Sequence, residues 1–574
     1  MDKENGHIKN NILNMDIEPD SQNKKKENSS EGSDTEEEPN NDLEYEENSQ
    51  YFLTYFINSL YSQNKYILYL LNDTNNNLVQ LPDKNYKVQE LVWKQEASEY
   101  QIHFKAYKNI PKCILYPLRV NGAIRTKAFF KANLIWKLMK HDKMSKLIPK
   151  LNYYQRFNHF PCTWELGRKD NMSINFQRMN RKYPEDFNYV PETFVLPKDI
   201  DLYLSRAGEQ ENKNKKWILK PVASSRGRGI RIISADDKIP TKCLISKYID
   251  NPHIINNRKY DLRIYVVVTN FSPLKIYMYN EGLTRFASEE YKHDDVDNNK
   301  FMHLTNYSIN KKSTNIDKNI SNDNELLGIK WSLTALRSYF KEAKLDYAEL
   351  EKKICDIITK TILTIADSTI AEVKNLTSLP NCLFELYGFD ILVDDKLEPW
   401  LMEVNLNPSL DCEAQIDNKI KTSLITDIIN ILNITPYSRS KDNKALKFPL
   451  SYNGKISKNS KTPTLYKYED DNLFTNEEDY LDFLSEKNED LSTKVDNTFD
   501  KWETDIILYA EDEIKKKGEL KLLFPLKESI DYYSKFIMQP KRENIVLWSW
   551  IKNKNKERLY KYKELNTDTK FYES

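Results

Sequence analysis

The sequence predicts an α+β body with a polar tail at each end, on three observations. Apolar runs of strand length recur between residues 216 and 279, two stretches (351–373 and 414–433) carry apolar residues at helical spacing, and both flanks are polar and charged. At 574 residues and 68.0 kDa the chain is too long for one core, so two or three folding units are expected.

Taken in order, residues 1–50 hold 15 Asp/Glu against 5 Lys, a net of −10, with few aromatics, which is the composition of a disordered acidic arm. From Tyr51 aromatic and β-branched content rises, and a patterned region runs to residue 435. Residues 110–116 (IPKCILY) read as a strand and Ala128–Met139 as an apolar helix through Phe129, Ile135 and Leu138. Strands follow at Lys216–Lys220, Gly229–Ser234, Leu262–Thr269 and Leu274–Tyr279. Ile354, Ile357, Ile358, Ile362 and Ile365 define one helical face, and Ile416, Ile420, Leu424, Ile428 and Leu432 another. Between those helices Leu386–Val393 and Leu397–Asn405 form a strand pair around a turn at Asp394–Asp395–Lys396. Residues 436–475 read as a linker and 476–574 as a helical appendage, amphipathic at 498–516 and 525–550.

Several classes of function are disfavoured by composition. No run approaches the length of a membrane-spanning helix, and the start, MDKENGHIKN, lacks the basic cluster and apolar core of a secretory signal. The six cysteines are scattered without a CxxC pair, which fits a reducing compartment, so the cytoplasm is the expected location. Net charge is zero overall, so the −10 of the arm leaves +10 on the rest, concentrated in 51–440. A basic body attracts an acidic partner: nucleic acid, an anionic membrane or an acidic protein tail. Charge does not choose among them.

Four segments carry chemistry. In WILKPVASSRGRGIRII (217–233) a strand ends at Lys220, a small-residue loop holds Gly227 and Gly229, and a second strand begins. Small residues let backbone N–H groups approach phosphate oxygens, and Lys220 with Arg226 or Arg228 can neutralise them; a tight hairpin is the alternative. Neither GxxxxGK[ST] nor GxGxxG is present. In FELYGFDILVDDKLEPWLMEVNLNPSL (384–410), Glu403 and Asn405 lie two apart on one strand face, with Asp390 on the neighbouring strand. Two carboxylates and an amide oxygen are hard ligands suited to magnesium, the alternative being carboxylates bonded to backbone or a nearby lysine. KYDLRIYVVV (259–268) alternates Lys259, Asp261 and Arg263 on one face, as a site or as a structural ion pair. FMHLTNYSINKK (301–312) is dense in polar groups, as a site or as a turn held by side-chain bonds.

Together, and in this order, these blocks resemble the tubulin tyrosine ligase-like family, whose catalytic body is an ATP-grasp fold with N-terminal, central and ATP-grasp subdomains. The likeness covers about residues 85–435 and includes RFNHFPCTWELGRKD (156–170), KPVASSRGRGI, HLTNYS and PWLMEVNLNPSL. It is strongest to the glutamylase branch, with a weaker match in GELKLLFPLKESIDYYSKFI (518–537) to an element that follows the catalytic body in some members. The resemblance implies ATP and Mg2+ as cofactors. Lys220, Arg226, Gly227, Ser246, Lys247, Tyr248, Ile249, Lys259, Asp261, Thr305 and Asn306 would contact the nucleotide, although glutamine is common at the Ser246 position. Asp390, Glu403 and Asn405 would hold magnesium. Arg285, Tyr307, Ser308, Lys330 and Lys421 would hold free L-glutamate, and Lys220, Arg263 and Glu403 would act on the reacting atoms.

The implied reaction activates a side-chain carboxylate of tubulin as an acylphosphate and joins it to glutamate, with the acidic C-terminal tails of microtubules as partner. A monomer is expected, at the cytoskeleton, the axoneme or basal body included, with no nucleic-acid or membrane partner. The rivals are a glycylase and a non-catalytic microtubule-binding member. The intact Asp390, Glu403 and Asn405 set speaks against the latter, and a cationic grip by Arg285 and Lys421 favours glutamate over glycine.

Overall fold

The computed structural model describes residues 102–106, 110–120, 123–137, 144–212, 215–222, 227–292, 299–311, 313, 328–434 and 501–552, and the backbone of 51–57 and 65–71. The acidic arm, the 436–475 linker and Arg226 lie outside these residues.

Strands β1 (Tyr51–Ile57) and β2 (Lys65–Leu71) pair antiparallel. A parallel sheet follows, ordered β4-β3-β5-β6, from β3 (His103–Ala106), β4 (Ile124–Arg125), β5 (Leu134–Trp136) and β6 (Arg156–Phe157). Two sequence expectations exchange places here. Residues 110–116 are not a strand: helix α1 (Lys112–Val120) crosses from β3 to β4 and buries Cys113, Ile114 and Leu118, an i, i+4 face hidden within a β-like composition. The helix expected over 128–139 is instead a short turn and β5, whose three residues are all buried, as both faces of a parallel strand are covered.

Helix α2 (Lys169–Lys182) leads to a small antiparallel sheet ordered β7-β10-β8-β9, made of β7 (Thr193–Val195), β8 (Trp217–Lys220), β9 (Arg231–Ile233) and β10 (Leu244–Lys247). Its core is Phe194, Tyr203, Trp217, Leu219 and Ile245. The largest sheet runs β14-β13-β12-β15-β16, with β11 (Ile254–Ile255) on β12 (Arg258–Phe271). The other members are β13 (Leu274–Phe286), β14 (Lys330–Ser332), β15 (Glu385–Val393) and β16 (Pro399–Asn405). Its faces are covered by α3 (Leu333–Glu342), α4 (Tyr347–Leu363), α5 (Ala366–Leu376) and α6 (Gln415–Ile431). The helix expected over 351–373 is thus two helices, broken at Thr364–Ile365.

Strand β12 shows how this sheet builds a site and a core at once. Leu262, Ile264, Val266 and Val268 face one core, shared with α4 and α5. On the opposite face Tyr265 and Val267 pack with Ile420, Leu424 and Ile428 of α6. The same face carries Lys259, Asp261 and Arg263 nearer the strand's start, because the side-chain period is two. Each fully buried Leu or Ile of α6 contributes roughly 1.5–3 kcal/mol, enough to anchor the strand that presents those charges.

The C-terminal segment is not a purely helical appendage. Between α7 (Lys501–Lys515) and α8 (Arg542–Lys552), strand β17 (Leu520–Phe524) pairs with β13 and extends the large sheet. Glu513 of α7 meets Lys275 and Thr269, all three buried, and Leu274 N–H donates to Asn544 Oδ1 at 2.7 Å. Removing one member of such a buried charge cluster would strand the others, which ties the segment to the body.

Candidate functional site

Between the small and large sheets lies a cleft open to solvent. Lys220 and Pro221 enter it from the end of β8, and Lys247, Tyr248 and Ile249 from the end of β10. Lys259 and Asp261 rise from β12, Thr305 and Asn306 from the turn after His303, and Asp390 and Glu403 from the β15–β16 pair. Gly227 and Arg228 close one side. Residues scattered over 184 positions of sequence, Lys220 to Glu403, therefore meet in one cavity. Ser246 does not line it: its hydroxyl accepts a hydrogen bond from Thr193 Oγ1 at 2.9 Å, on the other face of β10 from Lys247.

The glycine loop is the turn of the β8–β9 hairpin, with Ile218 opposite Ile232. Gly227 has φ +72°, and a Cβ there would lie 2.4 Å from Ile309 Cδ1 and 3.1 Å from Asn306 Oδ1. Glycine is needed both for the left-handed backbone and for the close approach of the 305–309 turn. The hairpin reading is thus what the described residues form.

Burial depresses the basic groups. It lowers the Lys220 pKa to about 8, with Glu403 opposing the shift and Lys169 adding to it. Burial likewise takes Lys259 down to about 7, against the pull of Asp261 and Asp250. Lys259 Nζ donates to Tyr248 Oη at 3.0 Å and lies 4.4 Å from that ring's centroid, while His303 Nδ1 is 2.8 Å from the same hydroxyl. Lysines whose pKa values burial has lowered bind an incoming polyanion while taking up protons.

On the floor, two arginines and two carboxylates interlock. Arg263 donates to Asp390 through Nε (2.6 Å) and a terminal nitrogen (3.0 Å). Arg285 does the same to Asp261 (2.7 and 2.6 Å) and also reaches Asp390 at 3.0 Å. Thr305 Oγ1 donates to Asp261 at 2.6 Å. Burial alone would raise the Asp390 carboxyl, but the two guanidiniums outweigh it and hold the group well below the usual carboxylate range. The surface ion pair of Arg285 with Glu289 or Glu290 that its sequence neighbourhood allows is not what forms. The side chain is 9% exposed and faces the site's own carboxylates, and it does not line the cleft.

Register makes Asp390 and Glu403 partners across β15–β16 and sets Asn405 opposite Gly388. Asn405 Nδ2 lies 3.4 Å from Asp390 Oδ2, and Glu403 pairs with Lys169 at 2.9 Å. The three groups that the sequence suggests for magnesium thus stand together, with Asp390 engaged by Arg263 and Arg285 and Glu403 by Lys169.

The remaining residues singled out by sequence form a second cluster beside the cleft. Lys330 lies 2.6 Å from Asp417 and Lys421 2.9 Å from the same carboxylate. Lys330 Nζ also stands 3.4 Å from the centroid of the Tyr307 ring, and Ser308 follows on the turn Tyr307–Asn310. Sequence reasoning missed Asp417, although it precedes Lys421 by four on an apolar helix, a spacing that pairs opposite charges. It also missed Lys169, which stands inside the recognised RFNHFPCTWELGRKD block.

Against known proteins, the family model described as Tubulin-tyrosine ligase family matches residues 147–443. Tubulin monoglutamylase TTLL4 of Homo sapiens is 33% identical over 424 residues, 71% of this chain and 34% of that protein. Tubulin polyglutamylase TTLL5 of Mus musculus is 41% identical over 290 residues, 50% of this chain and 22% of that protein. A probable beta-tubulin polyglutamylase of Tetrahymena thermophila is 34% identical over 293 residues, 50% of this chain and 24% of that protein. The chain thus spans between 22% and 34% of the length of these relatives.

Proposed function

The chain belongs to the tubulin-tyrosine ligase family, and from that premise we propose that it is an ATP-dependent glutamylase acting on side-chain carboxylates of tubulin. The observation that carries this reading is the convergence of Lys220, Lys259, Asp261, Asp390 and Glu403 in one cleft, beside a buried lysine pair suited to an amino-acid carboxylate. Relatives described as tubulin monoglutamylases and polyglutamylases support the choice of substrate.

In this reading Lys220 and Lys259 grip the nucleotide phosphates, with backbone N–H groups of the loop at Gly227, while Lys247, Tyr248 and Ile249 frame the base. Asp390, Glu403 and Asn405 hold magnesium, which when bound neutralises charge on the phosphates. A carboxylate oxygen of the acceptor attacks the γ-phosphorus, the bond to ADP breaks, and an acylphosphate forms. The α-amine of glutamate then attacks the acyl carbon, phosphate leaves, and the amine gives up a proton as the isopeptide bond closes. Arg263 and Arg285 aim Asp390 and Asp261; Lys330 and Lys421 receive glutamate, next to Tyr307 and Ser308. Preorganised cations at the developing phosphoryl charge supply the main stabilisation.

The test is isotopic. With the acceptor side-chain carboxylate labelled in oxygen-18, ATP, magnesium and glutamate should yield inorganic phosphate carrying one labelled oxygen per bond formed. Unlabelled phosphate accompanying ligation would rule out activation through an acylphosphate.

A further inference from the structure

Asp417 sits at the start of α6 with its side chain 1% exposed, and two ammonium groups converge on it. Lys330 Nζ, from β14, is 2.6 Å from one carboxylate oxygen, and Lys421 Nζ, one helical turn along, is 2.9 Å from the other. Lys421 also donates to the Asp411 carbonyl at 2.5 Å, and Lys330 lies over the Tyr307 ring. The lysine side chains are 10% and 6% exposed. Two ammonium ions against one carboxylate leave a local charge of about +1 where little water reaches it, an arrangement completed by a single anion.

Among the described residues, the Ala414 N–H also donates to Asp417, at 3.2 Å, and Tyr265 faces the same carboxylate. Glu413 acts on Lys330, Tyr265 and Cys412 on Lys421, and Tyr307 faces Asp417. Burial lowers the Lys330 pKa, and Asp417 is the strongest force opposing that fall. For Lys421 the balance of burial against Tyr265 and Asp417 keeps the pKa raised.

We infer that Asp417 is a positioning residue of the amino-acid subsite: it fixes Lys330 and Lys421 side by side, so that together they take one carboxylate of the free amino acid. The inference rests on the glutamylase reading and deepens it. Asp417 touches no reacting atom; it acts through the two lysines, and it sets the subsite's charge at a value that one carboxylate neutralises. Glycine, with no side-chain carboxylate, would leave that charge unanswered if its α-carboxylate is held elsewhere.

The experiment uses the full chain with ATP, magnesium and microtubules, and compares the unmutated protein with Asp417→Asn, which keeps the shape. The expected result is a glutamate KM raised at least about tenfold with the ATP KM held near the unmutated value, while the melting temperature falls because two buried ammonium groups lose their carboxylate. The excess should grow as pH rises, because Lys330 without its carboxylate loses its proton sooner. In a Lys330→Gln background the same substitution should have a smaller effect, since one of the two groups it acts through is gone. An unchanged glutamate KM, a parallel rise in both KM values, or a fall in the glutamate KM (Asp417 competing with the ligand for the lysines) would each overturn the inference. If Asp417→Asn does not fold, Lys330→Gln alone carries the test, and an unchanged glutamate KM there overturns it equally. The unmutated protein is assayed alongside with labelled glutamate and labelled glycine: preference for glycine refutes the functional reading itself, whereas normal glutamate use with an inert Asp417→Asn refutes the positioning role alone.

Discussion

Arg285→Ala should damage the whole active site and not the amino-acid subsite alone. The guanidinium gives Asp261 two hydrogen bonds of 2.7 and 2.6 Å and reaches Asp390 at 3.0 Å, with side chains 9%, 11% and 5% exposed in that order. Removing one partner of a buried ion pair costs about 3–5 kcal/mol, because the carboxylate left behind is uncompensated. Asp390 keeps its two bonds to Arg263, so the damage centres on Asp261 and the lower end, about 3 kcal/mol, is expected. Asp261 in turn accepts from Thr305, so the nucleotide side of the cleft loosens with it. Urea denaturation followed by tryptophan fluorescence should report the lost stability, and the KM values for ATP and glutamate should rise together. A glutamate KM raised by itself, with ATP and stability untouched, would refute this reasoning and make Arg285 a direct ligand of the amino acid.

Three further outcomes follow from the same geometry. Glu403→Gln should keep the fold, since Glu403 is partly exposed and its one ion pair is with Lys169, yet raise the magnesium concentration needed for half-maximal activity; unchanged magnesium dependence would make Glu403 structural. ATP affinity should weaken as pH rises through about 7 and 8, where Lys259 and Lys220 lose their protons in the free protein, and binding at a pH in that range should take up protons, measurable by calorimetry in buffers of different ionisation enthalpy. Proton release on binding would contradict the depressed values. Truncation after residue 443, where the family match ends, should leave β13 without β17 and Lys275 without Glu513; a soluble fragment with an unshifted melting temperature would show that the C-terminal segment is dispensable to the body.

What the sequence made legible was local. The β8–β9 hairpin, the β15–β16 pair and helix α6 each carry their pattern within about twenty residues, and the three oxygen donors Asp390, Glu403 and Asn405 follow from strand alternation and one short turn. The exchange of helix and strand around residues 112–136 arose because strands buried on both faces, like buried helices, read as continuous apolar runs. Partnerships across the chain were not legible. Nothing near Arg285 in sequence indicates that Asp261 and Asp390 will surround it, and nothing near Leu520–Phe524 indicates that β13, where Tyr279 lies opposite Leu520, will accept it as an edge. The likeness to a known family singled out residues such as Lys247, Tyr248 and Thr305 that meet in the cleft and that pattern did not connect, and it singled out Arg285, which the fold sets against Asp261 and Asp390.

The central claim is that this cleft joins glutamate to tubulin side chains at the expense of ATP. Purified protein, microtubules, ATP, magnesium and glutamate, followed by mass spectrometry of the tubulin tails, should give tail peptides heavier by glutamate residues on acceptor glutamates. The product should vanish without ATP and fall in Lys220→Ala, which removes a half-buried cation from the cleft and costs on the order of 10²–10³ in rate. Tails that gain glycine in place of glutamate, or gain glutamate equally well with Lys220→Ala, would contradict the account.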